Sequence, residues 1–307
     1  MGIINLFDPW KSKLCTCPRK YTINPYTGCS HMCLYCYTTS YIGLRKSAPK
    51  KDIIKRLKKD LERCDPRIPI DMSLSSDPYP PEEKKYRITR KVLELLLPKG
   101  FKVQVTTKST LILLDLDLFQ KYNVAVSMTI TTLDDNLARK IESFAPVPTE
   151  RLKALEEIFK AGVPFSVRID PIIPYLNDDK EELKELVREV VSIGAKHIVT
   201  STYKARPDNF KRMVEKFPEL EHKWRKLYYP KGRVRGYAYL PIDLRKRLLS
   251  IITSEAKKLG VSYATCREGL ITKEFFNAKS CDGTHLIPER FSSKFRKTIT
   301  LTDKFEK

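Results

Sequence analysis

Between residues 67 and 203, short runs of β-branched and apolar residues alternate with longer stretches of helical period. "IPIDMSLS", "FKVQVTT", "VAVSMTITT", "VPFSVRID" and "KHIVTSTY" are too short for helices and read as strands. "EKKYRITRKVLELLL", "TLILLDLDLFQKY" and "TERLKALEEIFKAG" keep their apolar residues three and four apart and read as helices. "DKEELKELVREVVSIG" reads as a further helix, capped by Asp178 and closed by Gly194. Upstream, "YTINPY" is a first strand and "KKDIIKRLKKDLERC" a basic helix. Such alternation predicts an α/β fold with a parallel sheet and helical crossovers. Six units suit a partial (β/α)6 TIM-type barrel better than a closed eight-stranded one. The rhythm breaks after Tyr203, where a helix over "PIDLRKRLLSIITSEAKKLG", a short strand "VSYAT" and a loop-rich tail follow. The expected organisation is an N-terminal segment (1–20), a barrel (21–203) and a C-terminal extension (204–307), with no internal repeat.

Composition narrows the class. The chain is 41% hydrophobic and 31% charged, and no apolar run approaches the roughly 18 residues of a membrane span. The start, "MGIINLFDPWKSKL", carries no pattern of a secretion signal, so a cytoplasmic protein is expected. In that compartment eight cysteines point to metal or chemistry rather than disulfides. Two glutamines against 58 Lys and Arg fit a thermophile.

The net charge of +21 is unevenly placed. Residues 1–66 carry 13 Lys/Arg against 5 Asp/Glu, residues 67–203 carry 20 of each, and residues 204–307 carry 25 against 12. A neutral middle between basic ends predicts an anionic partner for the ends. Within "HKWRKLYYPKGRVRGYAY", six Lys/Arg, Arg233 and Arg235 among them, interleave with Trp224, Tyr228, Tyr229, Tyr237 and Tyr239. Cations for phosphates and aromatic faces for bases suit single-stranded or distorted nucleic acid. The plainer alternative is a solvated basic loop with aromatics tucked inward.

The candidate chemistry lies in "NPYTGCSHMCLYCY". Cys29, Cys33 and Cys36 follow the first strand in a loop at its C-terminal end, the edge where parallel α/β folds gather ligand sites. A structural zinc site takes four protein ligands, and His31 inside the loop is the available fourth. Three thiolates on an iron–sulfur cluster instead leave one iron open to another ligand.

The Cys-x3-Cys-x2-Cys spacing, with Tyr35 before the third cysteine, resembles the cluster loop of radical S-adenosylmethionine (SAM) enzymes. "INPYTGCSHMCLYCY", "SSDPYPPEEKKYRITRKVLELL", "TTKSTLILLDLDL", "SMTITTLDDNLARKIE" and "PIIPYLND" together resemble the spore photoproduct lyase-like branch over residues 21–203. The resemblance implies a [4Fe–4S] cluster on Cys29, Cys33 and Cys36, with the open iron chelating SAM. One electron from a low-potential donor then yields a 5′-deoxyadenosyl radical that takes a hydrogen from the substrate. It further implies Tyr35 beside the adenine and Ser75, Ser76 and Asp77 at the methionyl amine. Lys108 falls where the methionyl carboxylate is met, and Ser127 and Thr129 where the ribose hydroxyls are. Arg168, a charge in an apolar strand, needs a partner: the cofactor carboxylate, Asp170 or Asp77. One departure stands out. Spore photoproduct lyase opens its matching segment with a cysteine that returns a hydrogen atom to the product, and this chain has Leu74. That weakens simple thymine-dimer reversal and moves RNA modification ahead of DNA repair; the competing readings are a radical SAM enzyme on a peptide or small molecule, and a non-enzymatic metal-stabilised nucleic-acid-binding module.

Five cysteines remain. Cys64 ends a helix and reads as packing. Cys15, Cys17, Cys266 and Cys281 all fall in irregular segments near the chain ends. Together they are expected to make one four-thiolate site, a second [4Fe–4S] cluster or zinc, with His285 as a substitute ligand.

Overall fold

The computed structural model describes residues 2–7, 14–229, 233–234 and 236–291. Its main sheet has eight strands in chain order: β1 (Asn5–Leu6), β2 (Tyr21–Ile23), β3 (Ile70–Met72), β4 (Val103–Thr107), β5 (Val124–Thr129), β6 (Phe165–Ile172), β7 (His197–Thr202) and β8 (Ser262–Thr265). All neighbours from β2 to β8 pair in parallel, while β1 pairs antiparallel with β2 through Leu6↔Tyr21. The sheet runs open from β1 to β8, so this is the predicted partial barrel with helical crossovers on its outside. Every residue of β5 and of β7 is buried, as strands covered on both faces must be.

The crossover helices that matter below are α1 (Ile53–Leu61), α2 (Ile88–Leu96), α3 (Leu116–Lys121), α4 (Asp135–Ile141), α5 (Pro148–Lys160) and α6 (Lys180–Ile193). Two helix boundaries differ from expectation. Asp179, not Asp178, caps α6, accepting from the Glu181 and Glu182 amides at 2.9 and 3.0 Å, while Asp178 accepts from the Tyr175 amide at 2.8 Å. The stretch "EKKYRITRKVLELLL" breaks at Arg87, in the left-handed region at φ +50°. The Glu83 carboxylate then caps α2 through the amides of Thr89 and Arg90.

The sheet continues beyond residue 203. Strand β8 lies parallel to β7 through Tyr263↔Ile198, reached by α9 (Ile242–Lys258), which packs on α6 and β7. What hides this seventh parallel strand in the sequence is the stretch between, folded as α7 (Pro207–Lys216) and α8 (Glu221–Tyr228).

Those two helices correct the reading of the basic aromatic stretch. Trp224 and Tyr228 are fully buried, and Tyr237 and Tyr239 nearly so. The Trp224 Nε1–H donates to Pro174 O at 3.0 Å, and the Tyr228 ring lies edge-on to Tyr203 at 5.5 Å. These rings are core, not a surface for bases; Tyr229 alone is exposed among the five. Arg235 lies outside the described residues, as does the side chain of Arg233.

Candidate active site

The C-terminal ends of the parallel strands open into a cavity of about 230 Å³. Cys29, Cys33 and Cys36 line it, with Tyr35, Ser75, Ser76, Asp77, Lys108, Thr129 and Arg168. Ten of the eleven residues expected at the main cluster and SAM thus line one cavity. Ser127 is the exception: it is fully buried and pairs with the Ser166 hydroxyl at 3.0 Å. Ser127 and Thr129 share a face of β5, but Ser127 sits deeper, where the turn at Gly283 closes on Ser166. A Cβ on Gly283 would stand 2.8 Å from the Ser166 oxygen, and its φ of +90° also calls for glycine. The expected ribose contact for Ser127 is therefore not supported.

The cysteine loop is held from several sides. The Cys29 amide donates to Arg45 O at 2.9 Å, and Leu34 N to Ile141 O at 2.9 Å. The Tyr35 hydroxyl donates to Glu142, which also takes an ion pair from Arg151 and a 3.3 Å bond from Thr131 Oγ1. Arg151 is itself fixed by Thr129 O at 2.9 Å and Pro146 O at 2.7 Å. Burial opposes charge on Glu142, yet Arg151 and Lys108 hold its carboxyl below the usual range. Lys108 Nζ sits 5.6 Å from the Tyr35 ring centroid. Neither Glu142 nor Arg151 stood out in the sequence, since a charge on a helix end or face is ordinarily solvated.

Asp77 is the hub of the opposite wall. It accepts from Thr107 Oγ1 at 2.7 Å and from the Lys108 amide at 2.8 Å, with His31 Nε2 at 3.2 Å. Burial alone would raise its pKa, but His31 and these donors bring it down to about 2. His31, considered above as a zinc ligand, thus faces a carboxylate.

Arg168 finds the partner its place in β6 demands. Its Nη2 lies 2.5 Å from Asp170 Oδ2, and Asp170 also takes the Ser201 hydroxyl. Burial notwithstanding, Arg168 and Lys204 bring Asp170 to about 2. Lys204 continues to Glu268 at 3.3 Å, and Arg245 to the same carboxylate at 3.1 Å, tying the strand ends to α9. Lys204, Asp170 and Arg267 all line the cavity. Asp170 was an expected partner of Arg168; Lys204 and Arg267 were not singled out, and only their position two residues past a strand end could have flagged them.

The residues fit the groups the sequence implies. Three thiols open on the same cavity, and burial raises Cys29 to about 11 and pushes Cys33 up as well. Metal binding at Cys29 and Cys33 would therefore release their protons. Among the described residues no three His, Cys, Asp or Glu side chains gather as tightly as one ion requires. A carboxylate, two hydroxyls and two cations line the same cavity, the donor set for an amino acid's ammonium and carboxylate. Among the described residues no helix is long and apolar enough to cross a membrane.

Known proteins agree. An uncharacterized protein of Mycobacterium tuberculosis is 28% identical over 250 residues, covering 75% of this chain and 72% of its own. An uncharacterized Methanocaldococcus jannaschii protein is 35% identical over 172 residues, covering 52% of this chain and 62% of its own. Among solved structures, a spore photoproduct lyase variant with bound AdoMet and dinucleoside spore photoproduct matches with a TM-score of 0.64 at 16% identity, over 84% of this chain and 76% of that one. Streptococcus suis SuiB bound to its precursor peptide SuiA matches with a TM-score of 0.54 at 16% identity, over 80% and 48%. The family model described as Radical SAM superfamily matches residues 23–190. That match spans more than half of the chain and contains the three-cysteine loop, so the protein belongs to the radical SAM superfamily, whose enzymes use a [4Fe–4S] cluster and SAM.

Proposed function

We propose that this radical SAM enzyme modifies a nucleic acid laid across the open mouth of its barrel, with RNA ahead of DNA lesion repair. The observation that carries the reading is a stack of phenol rings and guanidiniums at the cavity. Arg267 lies over the partly buried Tyr37 ring at 5.5 Å, while the core ring of Tyr237 offers no face to a base and instead seats Arg267 and Arg206, each at 4.6 Å. Tyr37 and Arg267 line the cavity itself, and Tyr41, next in the loop, is half exposed. Aromatic faces with guanidiniums suit an unpaired base and its phosphate. The basic excess of residues 1–66 and 204–307 supports the same partner.

Cys29, Cys33 and Cys36 would hold the cluster, with Asp77 toward the SAM ammonium and Lys108 or Arg168 toward its carboxylate. Bound there, cluster and SAM supply a 5′-deoxyadenosyl radical that abstracts hydrogen. The chain's own part is to orient both groups and keep water from the cavity. Leu74 lines the cavity where a hydrogen-returning thiol would be needed for dimer reversal by the lyase route. This favours modification over repair. A peptide substrate is the second reading, favoured by the fold shared with SuiB.

Binding of single-stranded RNA across a salt series tests the partner. The affinity should fall with a log–log slope of about −0.7 per phosphate neutralised. Tyr37→Ala should cost ~1–3 kcal/mol of binding with the slope unchanged. A salt-independent affinity, or none near physiological salt, would move the assignment to the peptide.

A further inference from the structure

Four thiols outside the main loop come together from three distant segments. Cys17 Sγ lies 3.6 Å from Cys281 Sγ, across 264 positions of sequence. Cys15, two residues before Cys17, lines the active-site cavity with it. Cys266, the first residue after β8, lines the cavity with Cys15, Cys17 and Arg168, as does Asp282, the neighbour of Cys281. Cys64, by contrast, sits apart, lining a separate cavity with Leu95 and Phe101.

The surrounding bonds build this place rather than leave it to chance. Lys20, fully buried, bridges Asp71 on β3 and Asp282 beside Cys281, at 2.6 Å each. Gln104 Nε2 donates to Asp282 O at 2.7 Å, and Asp282 in turn caps the turn through Thr284 N at 3.0 Å. His285 is held by Ser280 Oγ at 2.7 Å and packs edge-on against His197 at 4.9 Å. Leu14, next to Cys15, lies over Gly269 in the loop that follows Cys266. Each thiol is thus positioned by a neighbour that has its own partner.

We propose that Cys15, Cys17, Cys266 and Cys281 bind a second metal centre through four thiolates, separate from the one on the Cys29 loop. The all-sulfur donor set selects a thiophilic group, an iron–sulfur cluster or zinc. Sulfurs around a tetrahedral zinc with bonds of 2.3 Å stand about 3.8 Å apart, a separation that Cys17 and Cys281 meet as a pair and the four thiols together do not. A cluster spreads its ligands further and would reach Cys266 across the cavity wall. In either form the centre fastens the N-terminal segment and the segment carrying Cys281 to the barrel mouth, beside the substrate.

The test is metal and sulfide analysis of the full chain purified without oxygen. Wild type should hold about four irons for the main loop, plus either about four more with sulfide or one zinc; the element found tells cluster from zinc. Cys17→Ser/Cys281→Ser should lose that second complement and keep the first. Cys33→Ala should do the reverse, and Cys64→Ser should lose nothing. If the double variant does not fold, Cys266→Ala carries the same comparison, and the wild-type count stands by itself. Four irons with no zinc in wild type would overturn the proposal. So would a Cys17–Cys281 disulfide, seen as a loss of about two mass units, or a double variant that keeps all its metal.

Discussion

Glu142→Gln strips one charge from a pair whose side chains are both fully buried. Arg151 keeps its bonds to Thr129 O and Pro146 O, so its guanidinium stays in place without a counter-charge. Removing one partner of a buried pair costs about 3–5 kcal/mol. The amide oxygen can still accept from Tyr35 and Thr131, which places this variant near the lower end, about 3 kcal/mol. Arg151→Met leaves the carboxylate unpaired and orphans two carbonyls, and should cost about 3–5 kcal/mol. The double variant buries no net charge. It should therefore be more stable than the sum of the single losses implies, by about 1–3 kcal/mol. Urea midpoints and slopes for the four apo proteins measure this. Losses that add to within about 0.5 kcal/mol would refute the claim that the pair acts as a unit.

Two further outcomes follow from burial and charge. Trp224→Ala should cost ~3–5 kcal/mol of stability by opening a core cavity and leave RNA affinity of the folded fraction unchanged, as denaturation and binding titrations will show; a selective loss of binding would restore it as a stacking residue. Asp77, held at about 2, contributes stability that is complete above pH 4 and drains away as the pH falls toward 2. The apo protein with Asp77→Asn should lack that part of the acid limb, a difference of about 2 kcal/mol between pH 4 and pH 2; superimposable acid curves would contradict the assignment.

Local pattern carried much of this structure. The strands from Ile70 to Thr202 follow from β-branched runs, and the cysteine loop from three cysteines within eight residues. The cavity wall was legible where it sits at strand ends, as Asp77, Lys108 and Arg168 do. What local pattern missed needed distance or a different period. Trp224 and Tyr228 are four apart on one face of α8, with Lys223, Arg225 and Lys226 on the others. Read as a string, charges and rings interleave; read as a helix, they separate into surface and core. Glu142 and Arg151 gain their meaning only when two helix ends meet behind Tyr35. The outer cysteines offered a count, and folding supplied the meeting of Cys17 with Cys281.

The central claim is that this radical SAM enzyme takes a hydrogen atom from a nucleic acid. The most direct measurement supplies perdeuterated cellular RNA, DNA or peptide to the anaerobic, reduced enzyme with SAM, and weighs the 5′-deoxyadenosine formed. The account predicts deuterium in 5′-deoxyadenosine from a nucleic acid, RNA before DNA, and none with Cys33→Ala. Deuterium from peptide alone would contradict it.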